Sequence, residues 1–154
     1  MTIYLREPTL CEHASFGDVK IGNIVNVDGV PFKIVEYTTC KAGKHGVCKV
    51  NMTCIDIFFG KKKELMDSST ASIESVEVKR YIYLLTNIGE TENDEDQSQY
   101  LSLMDNKNKV IEHFKLPKNE LGNKIQTLFE KGEQVKITTT HALDKEMITG
   151  CEIE

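Results

Sequence analysis

No stretch of this 154-residue chain is apolar for long enough to cross a bilayer as a helix. The amino terminus, MTIYLREPTLCEH, carries acidic residues and Pro8 where a secretory signal needs an uninterrupted apolar core, so the expectation is a cytoplasmic protein with no membrane partner. The five cysteines, Cys11, Cys40, Cys48, Cys54 and Cys151, form an odd set without a Cys-x-x-Cys pair. That argues against a disulfide framework and a structural zinc site. His13, His45, His113 and His141 are scattered, none at ligand spacing from a cysteine. Asp94-Glu95-Asp96 has neither the loop glycine nor the twelfth-position glutamate of a calcium loop, so no metal is expected. Asn51-Met52-Thr53 matches a glycosylation sequon, which carries no weight in a cytosolic chain. No Ser-His-Asp spacing and no carboxylate pair in an apolar frame is present, and the expectation is a protein that is not an enzyme.

What is there is the composition of a globular protein, 40% hydrophobic and 28% charged, with room for one large domain or two small ones. The net charge of −5 conceals an asymmetry. Residues 1–80 hold 11 basic against 10 acidic side chains, and residues 81–154 hold 8 against 14. Between Lys41 and Lys63 six lysines face only Asp56. Such segregation suggests that the first part meets a polyanion and the second does not.

Residues 1–20 show no clear period and read as a tail and lead-in anchored by Phe16 and Val19. The alternation of KIGNIVNV predicts a strand over Lys20–Val27, and Asp28-Gly29 a hairpin turn into VPFKIVEY. Val47–Phe59 supplies one long strand or two, Gly60–Lys63 a basic turn, and Val76 and Val78 alternate in a further strand, giving a small antiparallel barrel that closes near residue 78. The pattern restarts at Arg80. YIYLLTNI and YLSLMD read as strands around an acidic loop, Lys109–Leu116 as a third, and Asn119 as the cap of a helix ending at Gly132, with Leu121, Ile125, Leu128 and Phe129 on one face. EQVKITTTHAL and EMITGCEIE close the set. Five strands with one helix between the third and fourth is the order of an oligonucleotide-binding barrel.

The stretch KAGKHGVCK, Lys41–Lys49, lies between two strand-like runs. Gly43 and Gly46 bracket Lys44 and His45, and glycine at such a place reads as a hairpin tip. A lysine there has no core to pack against, so its amine is held out to solvent. A phosphate-binding loop is excluded, because Thr38 stands where its first glycine belongs and His45 where Ser or Thr must follow the lysine. Spacing alone leaves open a basic loop that merely keeps a sheet soluble, and the triple lysine Lys61–Lys63 reads the same way, as the blunting of a sheet edge.

Taken together, GVPFKIVEY, KAGKHG, KV (Lys49, Val50), IDIFFGKK, YLSLMD and LPKNELG resemble the eukaryotic translation initiation factor 5A family over nearly the whole chain. The resemblance implies a mostly β protein of two small barrels, an SH3-like domain over residues 1–79 and an oligonucleotide-binding (OB) fold over residues 80–154. It implies a ribosome-binding translation factor that promotes peptide-bond formation at stalled sites such as proline runs, and that assists termination. By the same resemblance Lys44 is the residue converted to hypusine, with the aminobutyl group taken from spermidine and no other cofactor. The implied partners are the ribosome with its rRNA, tRNA, deoxyhypusine synthase and, for the second step, deoxyhypusine hydroxylase. Lys41, Gly43, Lys44, His45, Gly46 and Lys49 are the implied RNA contacts. Two glycines let backbone approach RNA closely, the lysines act as point charges, and a lengthened side chain with two amines reaches further than lysine. The alternative is a general RNA-binding module that uses unmodified basic loops.

Three positions depart from the family pattern. Val47 stands where many members have a second histidine, Cys48 where they have a small residue, and Phe32 replaces a common cysteine. A hairpin symmetric about Lys44 places Cys40 opposite Cys48, within the reach of a disulfide that would stiffen the loop under oxidation.

Overall fold

A computed structural model describes residues 6–42, 47–90 and 98–154, with Lys41, Ala42 and Val47 described by their backbone. The chain divides into two compact units. One holds Pro8–Lys79 and Ala142–Lys145; the other holds Arg6 and Glu7, Arg80–His141 and Glu146–Glu154. Two short segments therefore lie across the boundary expected at residue 79. Thr9 and Leu143 exchange hydrogen bonds, the Thr9 N–H donating to the Leu143 carbonyl (3.0 Å) and the Leu143 N–H to Thr9 Oγ1 (2.6 Å). Arg6 donates through Nε to Glu146 Oε1 at 2.8 Å and through its guanidinium to the Tyr83 hydroxyl, and it lies 3.5 Å over the Tyr81 ring.

The first unit is one antiparallel sheet of β1 (Cys11–Ser15), β2 (Ile24–Val27), β3 (Val30–Ala42), β4 (Val47–Asp56), β5 (Lys62–Ser68) and β6 (Ser72–Val76), in the order β1-β6-β2-β3-β4-β5. Asp28 and Gly29 join β2 to β3 with φ of 53° and 83°, the pair of left-handed residues that a two-residue hairpin matched to sheet twist requires. Strand β2 is shorter than the alternation predicts. Lys20–Asn23 instead form a turn in which Asn23 Oδ1 accepts the Lys20 N–H at 2.9 Å. Strand β1 is an addition to the tail expected there. It is an edge strand with three exposed residues of five, so it carries no alternation to read. Its register on β6 runs from Cys11 opposite Val76 to Ser15 opposite Ser72. Val25, Ile34, Val50 and Cys54 are fully buried in the core, and Phe16 and Val19 close it as expected. Each such aliphatic contributes about 1.5–3 kcal/mol by leaving water.

The second unit is a five-stranded sheet of β7 (Val78–Ile88), β8 (Leu101–Met104), β9 (Val110–Ile111), β10 (Val135–Ala142) and β11 (Lys145–Ile153), in the order β11-β10-β7-β8-β9. One helix, α1 (Glu120–Glu130), stands between β9 and β10. The third strand is far shorter than the expected Lys109–Leu116. The ladder stops at Ile111 and resumes only as a bridge from Tyr100 to Lys115, and between them His113 packs its ring 4.1 Å from Phe114. Asn119 caps α1, its Oδ1 accepting the Gly122 N–H at 3.1 Å. The helix ends with the Gly132 N–H on the Phe129 carbonyl (3.0 Å) and the Glu133 N–H on the Leu128 carbonyl (3.2 Å), the paired bonds of a Schellman stop. Ile125 is fully buried, with Leu121, Leu128 and Phe129 packed beside it on Leu101, Leu103, Val135 and Ile137.

Candidate functional site

The hairpin of β3 and β4 carries the candidate loop. Its ladder runs from Phe32 opposite Asp56 to Ala42 opposite Val47, with a bulge between Ile34 and Glu36 that adds twist. Below the bulge the hairpin lines the core. Above it Met52 and Val50 of β4 stay buried opposite Tyr37 and Thr39, but Thr38, Thr39 and Cys40 are all exposed, so the distal half of β3 is an arm held by its ladder rather than by its own burial. Two contacts brace that arm. The Tyr37 hydroxyl donates to the Phe16 carbonyl at 2.7 Å, and β5 pairs with β4 from Lys49 opposite Ser68 to Ile55 opposite Lys62. Burial first, then the nearby Cys48 and Asp18, raise the Tyr37 pKa, so the phenol stays a donor.

Of the six residues singled out for contact, Gly43, Lys44, His45 and Gly46 lie outside the described residues, and Lys41 is placed only by its backbone, opposite Cys48. Lys49 is exposed on the outer face of the sheet, in the cross-strand row Cys40–Lys49–Ser68. The register overturns the proposed Cys40–Cys48 pairing. Four residues connect Ala42 to Val47, an even number, so the ladder is not centred on Lys44. Cys40 faces Lys49, and Cys48, one residue on, points to the opposite face of the ladder. No two cysteines are bonded to each other.

The turn after β4 explains the spacing in IDIFFGKK. Asp56 is buried, and its Oδ1 accepts the backbone N–H groups of Phe58 (2.8 Å) and Phe59 (3.2 Å). The Gly60 N–H reaches the Asp56 carbonyl at 3.0 Å with φ of 74°, and the Asp56 N–H reaches the Lys61 carbonyl at 2.8 Å. A carboxylate four residues before a left-handed glycine thus reverses the chain and starts β5 at the lysines. Lys63 is partly neutralised by Asp28 at 3.3 Å, whereas Lys62 stands opposite Ile55 on the outer face. Sequence reasoning used this motif but missed the roles of Asp56 and Tyr37. The four-residue step from Asp56 to Gly60 was the signal for the first.

A second quoted motif, LPKNELG, has an equally local cause. A Cβ built on Gly122 would lie 1.7 Å from the Pro117 carbonyl oxygen, so only glycine lets the first turn of α1 close on the preceding proline. Among the described residues no group of three His, Cys, Asp or Glu side chains could hold a metal ion, and no helix is long and apolar enough to cross a membrane.

Known proteins resemble the chain in both halves. Residues 10–71 match the family described as "Translation initiation factor 5A-like, N-terminal". Residues 77–152 match the one described as "Eukaryotic elongation factor 5A hypusine, DNA-binding OB fold". Eukaryotic translation initiation factor 5A-2 of Schizosaccharomyces pombe is 39% identical over 132 residues, 86% of this chain and 73% of that protein. The factor 5A of Dictyostelium discoideum is 36% identical over 129 residues, 84% of this chain and 76% of the relative. The solved structure of a translation initiation factor 5A family protein from Naegleria fowleri superposes with a TM-score of 0.81 at 30% identity, covering 93% of this chain and 99% of the other.

Proposed function

The chain belongs to the eukaryotic translation initiation factor 5A family, and from that premise we propose that it binds the ribosome and promotes peptide-bond formation at stalled sites such as proline runs, and assists termination. The observation that carries this reading is the arm: a braced two-stranded hairpin, exposed along β3 beyond Tyr37, whose last described pair is Ala42 and Val47 and whose sequence continues as Gly43-Lys44-His45-Gly46. Such an arm suits delivery of one side chain into an RNA channel, with its position fixed by the ladder rather than by the loop.

Lys44 is the residue modified to hypusine in this proposal, and the modified side chain supplies two amines for tRNA and rRNA close to the peptidyl-tRNA acceptor end. Lys41 and Lys49 stand near the distal end of the described ladder as phosphate partners, and the exposure of Lys49 supports that role. Gly43 and Gly46 let backbone approach RNA, and His45 stacks or hydrogen-bonds. The ribosome performs the bond-making step, so the chain acts by positioning and is no enzyme. Its remaining partners are deoxyhypusine synthase and deoxyhypusine hydroxylase, and its place of action is the cytoplasm.

Intact mass spectrometry of the protein from its own cells, with the modified peptide mapped, tests the reading. An addition located on Lys44 is expected. A chain mass with no addition favours a plain RNA-binding module whose lysines act only as charges.

A further inference from the structure

The outer face of the second sheet carries a row that the translation-factor reading does not use. Leu84 on β7 stands opposite Met104 on β8, and Met104 opposite Val110 on β9. One ladder step away, Leu85, Leu103 and Ile111 form the parallel row on the buried face. Side chains alternate along a strand, so Leu84, Met104 and Val110 point away from the core, together with Ile82 two residues before Leu84. Ile82 is 60% and Val110 51% exposed, while Leu84 and Met104 are partly exposed. Four aliphatic side chains on three adjacent strands thus lie side by side on one outer face, and neighbouring exposed apolar groups of this kind are what an interaction site presents.

Its rim decides the partner. Residues 81–154 are acidic overall, 14 carboxylates against 8 basic groups, yet Arg80 precedes Ile82 on the same face and Lys107 and Lys109 stand at the turn between Met104 and Val110. The carboxylate in that turn, Asp105, is folded into it, its Oδ1 accepting the N–H groups of Lys107 (2.8 Å) and Lys109 (2.9 Å), and its charge offsets part of that of the two lysines, so Arg80 is the rim's leading cation. Glu112 lies beyond Val110, past the end of β9. A nucleic-acid face on such a sheet would offer aromatic rings to stacked bases. Here Tyr83 is buried, Tyr81 lies under Arg6, and Tyr100, four residues from Met104, has Lys115 Nζ 5.8 Å over its ring. We propose that the outer face of β7, β8 and β9 is a docking surface for an acidic amphipathic protein segment, with aliphatic side chains seated on Ile82, Leu84, Met104 and Val110 and carboxylates facing Arg80 and Lys107.

The test uses the full chain and three fluorescein-labelled probes. One is a helical peptide of about 18 leucines and glutamates with its leucines on one face. The second has lysine in place of glutamate, and the third is an oligouridylate. The acidic peptide is expected to bind, with amide shifts confined to the strands around Ile82, Met104 and Val110, and to lose about tenfold in affinity in Ile82→Asp, and again in Arg80→Glu. Val110→Asp, on a different strand, guards against misfolding of one variant, and each variant's thermal unfolding is compared with the parent. The proposal is overturned if the acidic peptide fails to bind at about 1 mM, if both aspartate variants bind it as the parent does, or if the lysine peptide or the oligouridylate takes this face more tightly. None of these outcomes depends on the state of Lys44, so the proposal stands or falls apart from the ribosomal reading.

Discussion

The buried carboxylate of Asp56 and the backbone N–H of Phe58 are joined at 2.8 Å, and this bond holds the turn from which β5 starts. Because β5 braces β4 up to Lys49, a side chain at the far end of β4 governs the stiffness of the arm. Asp56→Ala leaves the N–H groups of Phe58 and Phe59 without their acceptor, and is expected to cost about 1–3 kcal/mol in urea unfolding. Hydrogen exchange should quicken along β5 more than along β2. A loss below about 0.5 kcal/mol would show that the turn holds itself.

Gly122 and Pro117 give a sharper case. With 1.7 Å between a new Cβ and the Pro117 carbonyl oxygen, Gly122→Ala cannot be accommodated without shifting the start of α1. A loss of about 3 kcal/mol is expected, against about 1 kcal/mol for removal of the cap in Asn119→Ala. Parallel denaturation of the two variants checks the order. A neutral alanine at residue 122 would place the contact elsewhere.

The acid side of the stability profile has two parts. Burial lowers the pKa of His113 from its ordinary 6.5, with Arg6 adding to the shift and Glu146 opposing it. The unfolded chain therefore takes up this proton first. Stability is full above pH 6.5 and falls as pH drops from there through the lower folded pKa. The Asp105 carboxyl is held below its ordinary 3.8, chiefly by the Lys109 N–H, and its contribution is lost only as pH falls below that value. In His113→Gln the slope just below pH 6.5 should flatten, leaving the acid limb below pH 3.8 unchanged. An unchanged slope in that window would assign it to another group.

Much of the fold was legible because its signals are local. Asp28-Gly29, Asn119 and Gly132 each act on their own few residues, and all three sit where sequence places them. The losses are of things set at long range. Strand β1 is specified by its partner β6, and β9 is cut short where His113 turns to Phe114. The hairpin register turned on whether the loop holds an odd or even number of residues, which composition cannot say, and the even count separates Cys40 from Cys48. Within the site, Lys49 was legible from charge and spacing, whereas Tyr37 matters through a bond to the Phe16 carbonyl, 21 residues earlier in the chain.

Ribosome affinity should fall as salt rises, since each phosphate contact releases counterions. Lys63 already has Asp28 at 3.3 Å within its own unit, so removing Lys61, Lys62 and Lys63 should flatten the salt slope less than removing Lys41, Lys44 and Lys49. Sedimentation binding at several salt concentrations measures both. Equal slopes for the two triple variants would move the contact surface off the arm.

The central claim is that Lys44, once modified, is what the arm delivers, and Lys44→Arg tests it most directly. Arginine keeps the charge but cannot become hypusine. In a factor-depleted translation system reading a proline-run message, the variant is expected to match the parent in thermal unfolding and to fail to restore full-length product. Full restoration by the arginine variant would contradict the account.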